Sequence, residues 1–571
     1  MKLGIINTVV ILFLGHLCFG QLKKAYLQNE SYTYDEAISA FETMSKTFSC
    51  AKMVEWGKTD VGRPLHVCIF NDAEEFDSGA ISASDKTVIL INNAIHPGES
   101  CGVDASILLM EELTLRRKEF QNVIVIVIPV YNIGGMLNRS PYNRTGQPGP
   151  VECGFRGSYQ NLDLNRDFIK CDSKNAFSFI EIFHAYDPDV FIDTHTTNGS
   201  DHQYTLTVIT SQISKMNPVL KQYVLGALEP TIYTNMKARN KEVIPYVNTV
   251  KGTPDKGIAD FMETPRFSSG YATLFDCMAF ITEAHKYKSF EDRVLHTHAF
   301  LEEMVRFGNE NAKDIKGVRA EARKASLMQS TFAGAWELDT TEAQKLFFKG
   351  YKTVTKTSEV TKCEFTTYDP SQKLDVEIPY YRNYKAKITV NAPEYYVIPQ
   401  CYPDAIERLR ANKVELKILD KDSLIYGTYY YVEDYKTVNT PYENHFLHSA
   451  VQVRQVKGMI QFYKGDYLVS TTQRSRRYIV EVLEPQFEDS YFNWNFFDNV
   501  LQQKEWFSPF AFESIANTWL EQDLEMKKEF EKKRAQDSIF AANHNAQLYW
   551  IYKQTPYYEK SHNRYPIVRI D

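Results

Sequence analysis

The chain has few cysteines, no excess charge of one sign, and one long apolar run, at its start. Nine cysteines in 571 residues are too sparse for a disulfide scaffold, and none has the paired spacing of a zinc ribbon. Seventy-two acids against 65 bases give a net charge of −7. That charge is small and dispersed, so nothing points to a nucleic acid or an anionic membrane surface as partner. Beyond Leu3–Phe19, no stretch approaches the ~18 apolar residues of a membrane span. Internal repeats and low-complexity linkers are lacking too. What remains, with 43% apolar and 24% charged residues, is the composition of a globular protein.

The N-terminus reads as a secretory signal peptide over residues 1–20. Met1-Lys2 is basic, Leu3–Phe19 is apolar, and the small Gly20 precedes Gln21. The expected destination is outside the cytoplasm, secreted or periplasmic. Eight cysteines remain after cleavage, an even number that permits disulfides. Cys153 and Cys171 bracket the polar segment NLDLNRDF, and a bridge there would pin it.

At 571 residues the chain exceeds one core, because cores stop growing beyond ~250–300 residues. From 21 to 330, short β-branched runs alternate with helical patterns. Val61–Phe70, Thr87–Ile91, Val123–Val130, Val190–Asp193 and Ala279–Thr282 read as strands. Val103–Arg117, Ala176–His184, Asn217–Ala238 (broken near Pro230) and Phe290–Ala325 read as helices. The pattern predicts an α/β domain with a mixed, mostly parallel twisted sheet flanked by helices. Residues 331–571 have a β texture rich in Tyr, then a charged helix over Ser514–Lys533. They are expected to form a β-rich α+β accessory domain with a helical C-terminal part. The aromatic stretch Glu484–Phe512 is read as core rather than as a polymer-binding surface.

Four segments carry chemistry. In INNAIHPGESC, His96 and Glu99 lie between a strand and a helix, with two residues between them, where both reach one ion from a tight turn. His195 and Glu283 each stand where an apolar run stops, in DVFIDTHTTNG and MAFITEAH. The cluster NLDLNRDF holds Asp163, Asn165 and Arg166. In an open α/β sheet the site lies beyond the carboxyl ends of the strands, so these segments are placed to converge. Imidazole and carboxylate are zinc ligands, and a catalytic zinc keeps three protein ligands and an open position. His184, His202, His285, His296 and His298 show no such pattern.

At these residues the chain resembles the zinc carboxypeptidases of the carboxypeptidase A type, over about Tyr32 to Ala325. The resemblance implies one Zn2+ per chain, held by His96, Glu99 and His195. It implies that Asp163 orients His96, that Asn165 and Arg166 bind a substrate's terminal carboxylate, and that Glu283 is the general base and acid. Arg156, seven residues before Asp163, matches an oxyanion arginine in one branch of that family. Arg139 and Arg144 stand nearby as alternatives. The family's mobile tyrosine has no clear counterpart; Tyr271 is the one Tyr in the loop before Glu283. In that family the same loop sets the specificity pocket, and Arg266 within it is either solvated or selects an acidic terminal residue. The implied substrates are peptide or protein C-termini. A zinc amidohydrolase acting on N-acyl amino acids or cell-wall peptides shares the same groups, and a binding protein with a decayed site is the non-enzymatic alternative.

Overall fold

The computed structural model describes residues 23–197 and 199–571; the expected signal peptide lies outside them. Its N-terminal half is built on one eight-stranded sheet. The strands are β1 (Ala51–Trp56), β2 (Leu65–Asn71), β3 (Thr87–Asn92), β4 (Val123–Ile128), β5 (Val190–Thr197), β6 (Leu206–Thr210), β7 (Val243–Pro245) and, after two short strands β8 (Asn248–Thr249) and β9 (Ile258–Ala259), β10 (Met278–His285). The order is β1-β2-β4-β3-β5-β10-β6-β7. The central strands β4, β3, β5 and β10 run parallel, whereas β1, β2 and β6 pair antiparallel at the flanks. The central runs TVILIN and VIVIVI are buried along their whole length. Helices cover both faces, which is why these strands read as continuous apolar runs rather than alternating ones.

Two elements differ from the sequence expectation in a way that matters. β5 and β10 extend past the ends of their apolar runs, so His195 and Glu283 lie within strands and not after them. In the parallel ladder Glu283 is registered opposite His195, and Asp193 opposite Ile281. The pattern Phe290–Ala325 is two helices, Phe290–Glu310 and Ala312–Met328, parted at Asn311.

The C-terminal half contains β11 (Thr331–Leu338), β12 (Gln344–Thr357), β13 (Glu364–Tyr381), β14 (Tyr384–Asn391), β15 (Tyr395–Ile398), β16 (Lys417–Ile418), β17 (Ser423–Thr437), β18 (His448–Phe462), β19 (Tyr467–Ser470) and β20 (Val568–Ile570). The long β12–β13 hairpin joins β9 and β8 in a four-stranded sheet, so this half pairs directly with the loop before Glu283. Phe487, Tyr491, Phe492, Trp494 and Phe497 are buried. They share one apolar core with Phe179, Phe191 and Phe275 of the first half, and the rings of Phe275 and Tyr478 stack at 5.7 Å. The helix Leu524–Gln536 buries only Met526 and Phe530, which leaves its charges in solvent.

Candidate active site

Three adjacent parallel strands deliver the polar groups to one edge of the sheet. β3 ends at Asn92, and Ala94 takes a left-handed φ of 56°. For a non-glycine residue this is a strained state that persists only where the surroundings enforce it. The reversal sends His96 and Glu99 back over the strand ends. The helix Cys101–Leu115 that follows lies directly on β5. A Cβ at Gly102 would stand 1.9 Å from Thr194 Oγ1, so glycine permits the approach that brings His96 and Glu99 to His195.

His96, Glu99 and His195 are buried, and their ligand atoms lie within 4.8 Å of one another. Nδ1 of His195 is 3.2 Å from Nδ1 of His96 and 3.1 Å from Oε2 of Glu99. The far nitrogens are occupied: His96 Nε2 meets Asp163 Oδ1 at 2.9 Å, and His195 Nε2 meets Asp193 Oδ2 at 2.9 Å. A carboxylate accepts, so each Nε2 carries the proton and each neutral ring turns a lone pair inward. Two such lone pairs and a carboxylate oxygen then converge on one point, an arrangement that demands a cation. The surrounding carboxylates favour positive charge at this point, and with no cation there the charge falls on the His195 ring itself. Burial opposes charge on His195, yet the carboxylates of Asp193 and Glu99 outweigh it and raise its pKa well above the ordinary value. Burial likewise opposes charge on Glu99, but Arg144 and His96 hold its carboxyl well below the usual range. Two imidazoles and one carboxylate, each imidazole backed by a carboxylate, fit a zinc ion.

A cavity of about 240 Å³ opens over this trio. Arg156, Asn165, Arg166 and Glu283 line it with the three ligands; Asp163 stands behind, bound to His96. Burial opposes the charge on Asp163, but the His96 hydrogen bond and the nearby arginines hold its carboxyl far below the ordinary value. Arg156 donates Nη2 to Asp163 at 2.8 Å and brings Nη1 within 3.5 Å of Glu99. The Arg166 guanidinium lies 4.3 Å from the Phe267 ring centroid, and its Nη1 donates to the Asn165 carbonyl at 2.8 Å. Asn165 Oδ1 accepts the Ser268 backbone N–H at 3.1 Å. Burial pushes the Glu283 carboxyl up to about 7; His195 pulls it down and Glu99 adds to the rise.

Arg144, Tyr246 and Asp193 complete the surroundings. Arg144 grips Glu99 Oε1 and the Thr196 carbonyl, each at 2.7 Å, so one carboxylate oxygen of Glu99 is engaged while the other faces the histidines. Tyr246 lines the cavity; nothing in its local sequence marks it. Asp193 had a usable signal, since residues i and i+2 of a strand share a face. Tyr271 is elsewhere: its hydroxyl is buried and donates to Asn412 Oδ1 at 2.7 Å. Arg139 holds backbone carbonyls of Tyr32 and Glu152. Arg266 is neither solvated nor in the cavity; it is fixed by Asp489 at 2.8 Å and packs 5.0 Å from the Trp494 ring. Cys153 and Cys171 are not joined, and the eight described cysteines are free thiols.

Residues 38–205 match the family described as zinc carboxypeptidase. The chain carries a zinc carboxypeptidase domain. This places it among the peptide-bond hydrolases. It is similar to the "Carboxypeptidase 2" proteins of Trichophyton equinum and Trichophyton rubrum, each 20% identical over 445 residues, or 72% of this chain and 74% of theirs. Among solved structures it is similar to carboxypeptidase A from Helicoverpa armigera, at 16% identity and a TM-score of 0.38 over 50% of this chain and 75% of that one. No helix among the described residues is long and apolar enough to cross a membrane.

Proposed function

We propose that this chain is an exported zinc carboxypeptidase that removes apolar or aromatic residues from peptide C-termini. The carrying observation is that Asn165 and Arg166 share one cavity with the His96–Glu99–His195 trio and Glu283. An exopeptidase needs that juxtaposition: a grip for a free carboxylate beside the hydrolytic centre. Zinc held by the trio supplies Lewis acidity toward a carbonyl and toward water. Glu283 takes the proton of the attacking water on its carboxylate and returns it to the leaving amine. Arg156, beside the trio, meets the charge that develops on the carbonyl oxygen. Arg166 binds the terminal carboxylate with its donor fork, aided by the Asn165 amide. Asp163 and Asp193 orient the two histidines. Residues 21–330 form the catalytic unit and 331–571 the accessory one; export rests on the signal-like residues 1–20.

The specificity follows from the rest of the lining. Ile209 and Ile281 are registered neighbours on β6 and β10, and Tyr246, Phe261 and Phe267 add aromatic surface. Glu99 and Glu283 are the carboxylates there, and both have other tasks, so a basic side chain meets no spare partner. Burying a Leu or Phe side chain is worth ~1.5–3 kcal/mol. A peptide library varied at its last residue should therefore show kcat/KM for Leu or Phe about 10–100-fold above Gly. Faster cleavage of terminal Lys or Asp would refute the preference.

The two arginines should separate kinetically. Arg166→Ala should raise KM for a short peptide about 10–100-fold, because it grips the carboxylate in ground and transition states alike. Arg156→Ala should lower kcat by ~10²–10³ with KM little changed. The amidated twin of the same peptide tests the whole reading. Wild type should lose nearly all rate on the amide, and equal rates on acid and amide would refute exopeptidase action.

A further inference from the structure

The C-terminal half reaches the site through the tip of the β17–β18 hairpin. The chain turns at Tyr442–His445, where the two residues exchange backbone hydrogen bonds of 2.8 and 3.0 Å. Between them Glu443 and Asn444 both have positive φ, 48° and 72°. A two-residue turn of this kind is normally filled by Asn, Asp or Gly. Asn444 suits its place; Glu443 does not, since a left-handed backbone is costly for a side chain with no local use of it. The tip is clamped on both sides of Glu443. Tyr442 stacks on Trp494 at 6.2 Å, and His445 Nε2 meets Asp172 Oδ2 at 2.8 Å.

Held there, Glu443 Oε2 accepts the backbone N–H of Asp163 at 2.7 Å, across 280 residues of chain. Asp163 is the hub of the site: its carboxylate takes His96 Nε2, Arg156 Nη2 and the Asn165 backbone N–H at 2.9, 2.8 and 2.9 Å. One bond from Glu443 thus fixes the residue from which a metal-trio histidine, the oxyanion arginine and the carboxylate grip all take their bearings. A strained residue whose side chain lands on such a hub points to a positional role. We propose that Glu443 is a positioning residue of the active site, supplied by the C-terminal half, whose carboxylate holds the Asp163 peptide and through it the Asp163–Arg166 turn. The kinetic part of this role rests on the carboxypeptidase reading above.

Two variants of the full chain test it. Glu443→Gly relieves the left-handed backbone, so the fold is kept, but it deletes the acceptor. Glu443→Gln retains an acceptor oxygen of equal reach. In Glu443→Gly, Tm should equal or exceed wild type and the Asp163 amide should lose hydrogen-exchange protection. The dissociation constant for added Zn2+ should rise about tenfold. KM for a C-terminal-acid peptide should rise about tenfold and kcat should fall about tenfold, since Arg166 and Arg156 both take their bearings from Asp163. Glu443→Gln should match wild type within about threefold in each, because it loses charge but keeps the hydrogen bond. Wild-type zinc affinity and KM in Glu443→Gly would overturn the proposal. So would equal impairment in both variants, which would assign the effect to charge near Arg166. Should wild type itself cleave no peptide, the carboxypeptidase reading fails alone, and the exchange and zinc measurements still decide the positioning role.

Discussion

Glu283→Gln is expected to lower kcat by ~10²–10⁴ while zinc content and Tm stay at wild-type values. Gln keeps the shape and a carbonyl oxygen but cannot take a proton. Glu283 lines the cavity opposite His195 in the strand register. It is not one of the three groups whose ligand atoms converge, so metal should remain. Its environment suits a base: burial lifts the carboxyl to about 7, near the pH at which general-base efficiency is greatest. The sign follows directly. The base works ionised, so kcat/KM should fall about tenfold per pH unit below its pKa in the loaded enzyme. A cation in the trio favours the ionised form, which places that limb at or below about 7. The residual rate of Glu283→Gln should lack the limb. A variant that keeps more than about a tenth of the wild-type rate, or the same acid limb, would remove Glu283 from the proton transfers.

The parts of this site that were legible in the sequence are those where local chemistry interrupts a local pattern. His195 and Glu283 each stand where an apolar run stops, His96 and Glu99 lie on the loop between a strand and a helix, and strands of an α/β sheet end on one side. The sheet brings these residues to one cavity with Arg156, Asn165 and Arg166. What stayed hidden depends on tertiary contact. Tyr246 follows the edge strand β7 and carries no periodic signal, yet it lines the cavity. Tyr271 has the more suggestive position in sequence, but its helical turn packs into the core against Phe183 and Phe275. Arg144 stands in sequence as an alternative for oxyanion work, but its partner is Glu99, and its left-handed φ of 58° is not announced by the sequence. The bond from Glu443 to Asp163 spans most of the chain, and no spacing rule reaches that far.

His195→Ala is expected to abolish stoichiometric zinc and all turnover. Three ligands hold the ion in a catalytic zinc site, and here the trio comes from the loop after β3 and from strand β5, which meet only in the folded sheet. Removing the His195 ring leaves His96 and Glu99 with too few donors to keep the metal against competing water. The variant also isolates a point of physical interest. Asp193, buried and bonded to the His195 ring at 2.9 Å, then loses that partner, although Ser268 Oγ still donates to it at 2.5 Å. Some loss of stability is therefore expected alongside loss of metal. Asp193→Asn provides the comparison that separates the two effects. It keeps the ligand ring but exchanges the acceptor behind it for an amide. Zinc affinity should fall about 10–100-fold, the usual consequence of altering the partner of a metal-binding imidazole. Metal analysis after dialysis against a weak chelator, run on wild type and both variants, orders them: wild type holds one equivalent, Asp193→Asn holds less, and His195→Ala holds none. Equal zinc in wild type and His195→Ala would mean that the ion sits elsewhere. Unchanged affinity in Asp193→Asn would mean that the ring is oriented by packing alone, with the strand register opposite Glu283 as the remaining constraint on its direction.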